Sequence, residues 1–124
     1  MKIEYTPKLD FKNVLIKPQR TTINSRKEVC LERTFTFANS KSTWSGIPII
    51  AANMDTTGTF SVCKDLAKHK MLTCLHKFYN VNDYIEFLDS LEASNNESKI
   101  DIKDYMIVST GISVKDFKKL CEIM

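Results

Sequence analysis

Three short apolar runs, each followed by a stretch with helical periodicity, constrain this chain more than any other feature of its 124 residues. The first, IPIIAAN after Gly46, is nearly continuous, as a strand covered on both faces requires. Asp55-Thr56-Thr57-Gly58-Thr59 then turns the chain into a helix. That helix sets Phe60, Cys63, Leu66 and Ala67 on one side and Lys64, Asp65 and Lys68 on the wet side. The second run, MLTCLHK at 71–77, precedes an amphipathic helix at 81–91 with Val81, Tyr84, Ile85, Leu88 and Leu91 as its stripe, and then a polar loop, ASNNESK. The third, YMIVSTG at 105–111, leads to Ser113 and Asp116, spaced as a capping box for a helix carrying Val114, Phe117, Leu120, Cys121 and Met124. Strand-helix order repeated three times predicts an α/β fold with parallel pairing and right-handed crossovers. Periodicity leaves open whether the sheet is doubly wound or closed into a barrel.

Upstream, VCLERTFTF at 29–37 alternates so that Val29, Leu31, Arg33, Phe35 and Phe37 share a face, which predicts a strand preceded by a loop around Pro18 and TTINSR. Charge follows the same division. Residues 1–45 hold nine Lys/Arg against four Asp/Glu, while 46–124 hold nine against eleven. The expected organisation is an amino-terminal arm and strand over 1–45 and the strand-helix units over 46–124. The basic residues of the arm are spread among apolar ones without the aromatic interleaving of a nucleic-acid platform, so nucleotide phosphates or a neighbouring subunit suit it better.

Several chemistries find no support. The start, MKIEYTPKLDFK, is too polar for a secretory signal, and no apolar stretch approaches the roughly eighteen residues of a membrane span, so the cytoplasm is the expected compartment. Cys30, Cys63, Cys74 and Cys121 match neither a CxxC pair nor a zinc spacing and read as small buried thiols. His69 and His76 stand seven apart without an HExxH context, so no metal site is expected. The three glycines, Gly46, Gly58 and Gly111, allow neither a GxGxxG turn nor a Walker loop, and no serine lies in GxSxG. What remains is a set of polar residues at the carboxyl ends of the apolar runs: Asn53, Met54 and Asp55, then His76 and Lys77, then Ser109 and Thr110. That edge is where α/β proteins bind ligands, although polar residues there also serve simply to meet solvent or start the next helix.

Three motifs in order, LDFKNVLIKPQRTTINSR at 9–26, WSGIPIIAANMDTTGTF at 44–60 and LTCLHKFY at 72–79, closely resemble the GMP reductases of the IMP dehydrogenase/GMP reductase family. IMP dehydrogenases share the barrel and an analogous opening, but typically show Ser-Pro where this chain has Ala52-Asn53 before Met54-Asp55, which favours the reductase. The resemblance implies a (β/α)8 barrel, a homotetramer, and conversion of GMP to IMP and ammonia with NADPH in purine nucleotide interconversion. In that chemistry a cysteine attacks the purine at C2, ammonia leaves, and hydride resolves the adduct. Carried over residue by residue, Ser25 and Arg26 match an arm reaching the cofactor of an adjacent subunit. Lys77 matches a lysine at the nicotinamide end that also assists the deamination, and Asn53, Met54 and Asp55 match the loop beneath the purine. No nucleic acid, membrane or metal partner is implied.

Departures from the family pattern matter as well. The nucleophilic cysteine, in a glycine-rich loop beside a threonine, has no match among the four cysteines, and the GMP phosphate loops have none either. A barrel of this kind takes about 250 residues, so three of eight units are expected here, as an inactive amino-terminal fragment. The alternatives are a fragment of IMP dehydrogenase, or a noncatalytic module that associates with full-length subunits. The last four residues, CEIM, formally fit a prenylation box with Lys118 and Lys119 upstream, but Cys121 also belongs to the helix stripe, which is the preferred reading.

Overall fold

The structure, a computed structural model, describes residues 3–93 and 101–124. The chain divides into two compact units, Met1–Cys30 and Leu31–Met124. The first is an extended segment, exposed throughout its described residues, with two single-turn 3-10 helices. Asp10 caps Phe11–Asn13 in a reciprocal capping box, and Ser25 caps Arg26–Glu28.

The second unit runs β1 (Arg33–Thr36), β2 (Thr43–Ala51), α1 (Phe60–Ala67), β3 (Met71–Leu75), α2 (Val81–Ala93), β4 (Met106–Val108) and α3 (Val114–Ile123). The four strands form a sheet in the order β1-β2-β3-β4. β1 pairs antiparallel with β2, from Arg33 opposite Gly46 to Thr36 opposite Thr43. β2, β3 and β4 are parallel, with Ala51 opposite Thr73 and Leu75 opposite Val108. The parallel pairing expected from the strand-helix alternation is present, and the strand order nowhere reverses.

Strand limits differ from the sequence reading for local reasons. The alternating 29–37 segment keeps only Arg33–Thr36 as strand, because a tight turn with Lys41 at φ 59° brings the chain back. β2 consequently starts at Thr43, four residues before the apolar run, where it meets β1. Tyr105 lies in a 3-10 turn, Ile102–Tyr105, just before β4, and there its ring meets Trp44 edge to face. The Trp44 indole donates to the Asp104 carbonyl at 2.9 Å, so the polar edge of that ring is satisfied.

All three helices feed one core on one face of the sheet. Cys63 of α1, Leu75 of β3 and Tyr84 of α2 are buried together, with Phe60, Tyr79, Met106, Val108 and Ile123 packed against them. Thr73 and Leu75 alternate to the same side of β3 and are fully buried. Leu72 and Cys74 point to the opposite face, as does Ile107 by register, and these are half-buried. The expectation that the first apolar run is covered on both faces is therefore not met. Ile49 and Ile50 are 55% and 54% exposed, beside a register shift between Ile47 and Ile50.

The buried helix faces match the apolar periodicity only in part. In α1, Cys63 and Ala67 are buried while Asp65 and Lys68 stay wet and pair at 2.7 Å, as expected. In α2, Ile85 faces solvent, and Phe87 takes its place by stacking on Phe60 with centroids 4.4 Å apart. In α3, Ser113 and Asp116 do form the reciprocal capping box, but Val114, Phe117, Cys121 and Met124 are exposed, Leu120 is half-buried, and Ile123 packs against the core. Two cysteines also depart from the buried-thiol reading: Cys63 is buried and Cys74 half-buried, while Cys30 and Cys121 are exposed. Most of the ASNNESK loop, residues 94–99, lies outside the described residues.

Candidate functional site

The carboxyl end of β2 opens into residues 52–59, a turn built on one carbonyl. Met54 O accepts from Thr57 N at 3.0 Å and Gly58 N at 2.7 Å, which turns Asn53, Met54 and Asp55 outward; all three are exposed. Gly58 closes the turn against the sheet. A Cβ there would collide with the carbonyl oxygens of Cys74 and Ala52, so no larger residue fits without moving backbone. The Gly58 carbonyl in turn accepts from His76 N at 3.0 Å. One backbone hydrogen bond thus ties the Asn53–Asp55 turn to the tip of β3, immediately beside Lys77.

That tip is braced by rings. His76, 9% exposed, stacks on Tyr79 at 4.0 Å, and Tyr79 stacks on Phe60 at 3.9 Å. The Tyr79 hydroxyl accepts from Phe60 N at 3.3 Å while the Thr59 hydroxyl accepts from Val62 N, so two of the open amides at the start of α1 are satisfied from the rim. His76 Nδ1 is buried with no hydrogen-bond partner among the described residues. Lys77 is exposed, its ammonium 5.8 Å from the Phe78 ring centroid. The Lys119 ammonium of α3 donates to the carbonyls of Lys77 at 2.5 Å and Tyr79 at 3.2 Å.

The third tip completes the row. Ser109 Oγ meets Cys74 Sγ at 3.2 Å, and the Thr110 hydroxyl donates to the Asp116 carbonyl at 3.2 Å. Hydrogen bonds from the Ser113 hydroxyl and amide hold the Asp116 carboxyl below the usual carboxylate range, with smaller help from the charges of Lys77 and Lys119. Burial pushes the Cys63 thiol up to about 11, tempered by the Thr73 hydroxyl. Among the described residues no three His, Cys, Asp or Glu side chains cluster as metal ligands, and no helix is long and apolar enough to cross a membrane.

Of the residues singled out from sequence, the structure therefore brings Asn53, Met54, Asp55, His76, Lys77, Ser109 and Thr110 to one strand-end edge. Ser25 and Arg26 belong to the amino-terminal unit, where the Ser25 hydroxyl accepts from Lys27 N at 3.3 Å and Arg26 is exposed. Sequence reasoning missed Gly58, Tyr79 and Lys119 as parts of the edge. Gly58 and Tyr79 stood inside the matched motifs, and the scarcity of glycine was itself a signal. Lys119 carried no signal, because its contacts lie some forty residues away in the chain.

The family model for the IMP dehydrogenase / GMP reductase domain matches residues 8–123. Among curated proteins, the GMP reductases of Shigella boydii serotype 18 (strain CDC 3083-94 / BS512) and of Escherichia coli O1:K1 / APEC are each 48% identical over all 124 residues. The chain spans 34% of the length of each of these relatives. By the extent of the domain match and this identity, the chain belongs to the IMP dehydrogenase/GMP reductase family, a family of oxidoreductases.

Proposed function

We propose that this chain supplies the purine- and nicotinamide-facing edge of a GMP reductase, which converts GMP to IMP and ammonia with NADPH. The observation that carries this reading is the Gly58–His76 hydrogen bond, which joins the Asn53–Asp55 turn to the strand end bearing Lys77. A nucleotide base and a cofactor acting on it need such adjacent supports. In this reading the Met54 thioether packs on the purine and Asn53 and Asp55 fix the turn or its ligand. Lys77 sits at the nicotinamide end, where its ammonium moves a proton or stabilises developing negative charge as ammonia departs. Ser25 and Arg26 serve the cofactor of an adjacent subunit in a cytoplasmic homotetramer, Arg26 offering a planar fork for phosphate.

NADPH, when bound, supplies the hydride. The exposed Lys77 ammonium fits its carboxamide end, and the exposed Arg26 guanidinium fits the phosphates of the cofactor bound by an adjacent subunit. The (β/α)8 barrel is supported by β2, β3 and β4 being parallel in sequential order with all helices on one face; a doubly wound sheet would carry helices on both. None of the four cysteines has the surroundings of the nucleophile: Cys63 keeps its proton, and the others lie outside any glycine-rich turn.

The 124-residue chain is accordingly expected to bind nucleotide without turning it over. Titrating GMP and NADPH into the isotope-labelled chain should shift the amides of residues 53–58 and 76–79, with no GMP-dependent loss of NADPH absorbance. Shifts confined elsewhere would end the assignment of the edge, and sustained NADPH oxidation would refute the claim of inactivity.

A further inference from the structure

Resting on the reading of Lys77 as a cofactor residue, we propose that Lys119 is its positioning residue. Lys119 follows the exposed Lys118 on α3, yet it is half-buried and reaches back across the fold. Its ammonium donates to the Lys77 carbonyl at 2.5 Å and the Tyr79 carbonyl at 3.2 Å, bracketing Phe78. These are charge-assisted bonds, about twice as strong as neutral ones. The backbone of residues 76–79 is thereby held from two sides: by Gly58 through the His76 amide, and by α3 through one cation.

Lys77 cannot change its backbone direction without releasing the Lys119 contact, whereas Asn53, Met54 and Asp55 are anchored through Met54 O and meet the clasped segment only through the Gly58–His76 bond. α3 also sets the charges around Lys77, since Lys77 and Lys119 both act on the Asp116 carboxyl. A lysine serving merely to satisfy two carbonyls would affect stability alone. One that aims Lys77 would affect the cofactor and spare the purine.

The variants Lys119→Met, which keeps the aliphatic stem, and Lys119→Arg, which keeps donors, separate these possibilities in the full chain. Hydrogen exchange at residues 76–79 and calorimetric titrations with NADPH and with GMP are the measurements. Lys119→Met should speed exchange there and weaken NADPH binding about tenfold while leaving GMP affinity within about twofold, and Lys119→Arg should restore both. Unchanged exchange, equal weakening of both nucleotides, or no rescue by arginine overturns the proposal. A parent chain that binds GMP but not NADPH removes the cofactor reading of Lys77 and this inference with it. A parent that binds NADPH with an indifferent Lys119→Met sinks the inference alone.

Discussion

Gly58 is confined by the Cys74 and Ala52 carbonyl oxygens, which belong to the two parallel strand ends it joins. Adding one methyl forces backbone apart, so Gly58→Ala should cost about 1–3 kcal/mol in urea unfolding, the range of overpacked sites. It should also shift the amides of Asn53 and His76. Cys63 gives a pH-dependent prediction. Its thiol is raised from 9.0 to about 11, so the folded chain holds the proton longer than the unfolded chain does. The associated stability is complete below pH 9 and is lost as pH rises toward 11. Tyr84, raised from 10.0 to about 12 by burial, extends the decline. Stability against urea should therefore fall on the alkaline side, and Cys63→Ala should remove the earlier part of the fall and leave the Tyr84 part. A thiol reagent at mildly alkaline pH should label Cys30 and Cys121 and leave Cys63 untouched in the folded chain.

α3 owes its start to side chains that sequence spacing displayed, and its burial to neighbours it did not. Ser113 and Asp116 three residues apart announced the α3 capping box, and the structure has both halves of it. Ser113→Ala should destabilise by about 1 kcal/mol, the usual cost of a lost cap, measured by thermal unfolding. The Asp116 contribution, from a carboxyl held low, is present at neutral pH and lost as pH falls through the carboxylate range. By contrast, of the apolar stripe expected on α3 only Leu120 is half-buried, and Ile123 lay outside it. Phe117 is 63% exposed, while Ile123 packs on the core. Phe117→Ser should change stability by less than about 0.5 kcal/mol, and Ile123→Ala should cost clearly more. In α2 the same limitation exchanged Ile85 for Phe87, because the ring of Phe60 selects a flat partner that a hydrophobic count cannot distinguish from an aliphatic one.

Across the larger unit, Leu31–Met124, the sheet carries its helices on one face. Ile49 and Ile50 on β2, and Val114, Phe117 and Met124 at α3, leave apolar surface exposed. Sedimentation should accordingly show concentration-dependent self-association at micromolar levels, where such surfaces commonly associate. A strictly monomeric chain at high concentration would contradict this. The same surface favours a second functional reading, a noncatalytic module joining longer family members, for which co-purification with an intact GMP reductase is the direct check.

What the amino-acid sequence determined by itself was the alternation of strands and helices, the parallel pairing it entails, the α3 cap and the identity of the strand-end residues. Each follows from local backbone preference or from short spacing, which a linear reading preserves. The tertiary structure alone decided that one face of the sheet takes all three helices, that Phe87 stacks on Phe60 and Ile123 packs on the core where Ile85 and Phe117 were expected, and that Gly58 and Lys119 clasp the segment bearing Lys77. Those outcomes depend on which surfaces meet across twenty to sixty residues of chain, a matter of shape and of unpaired backbone groups that no periodicity records.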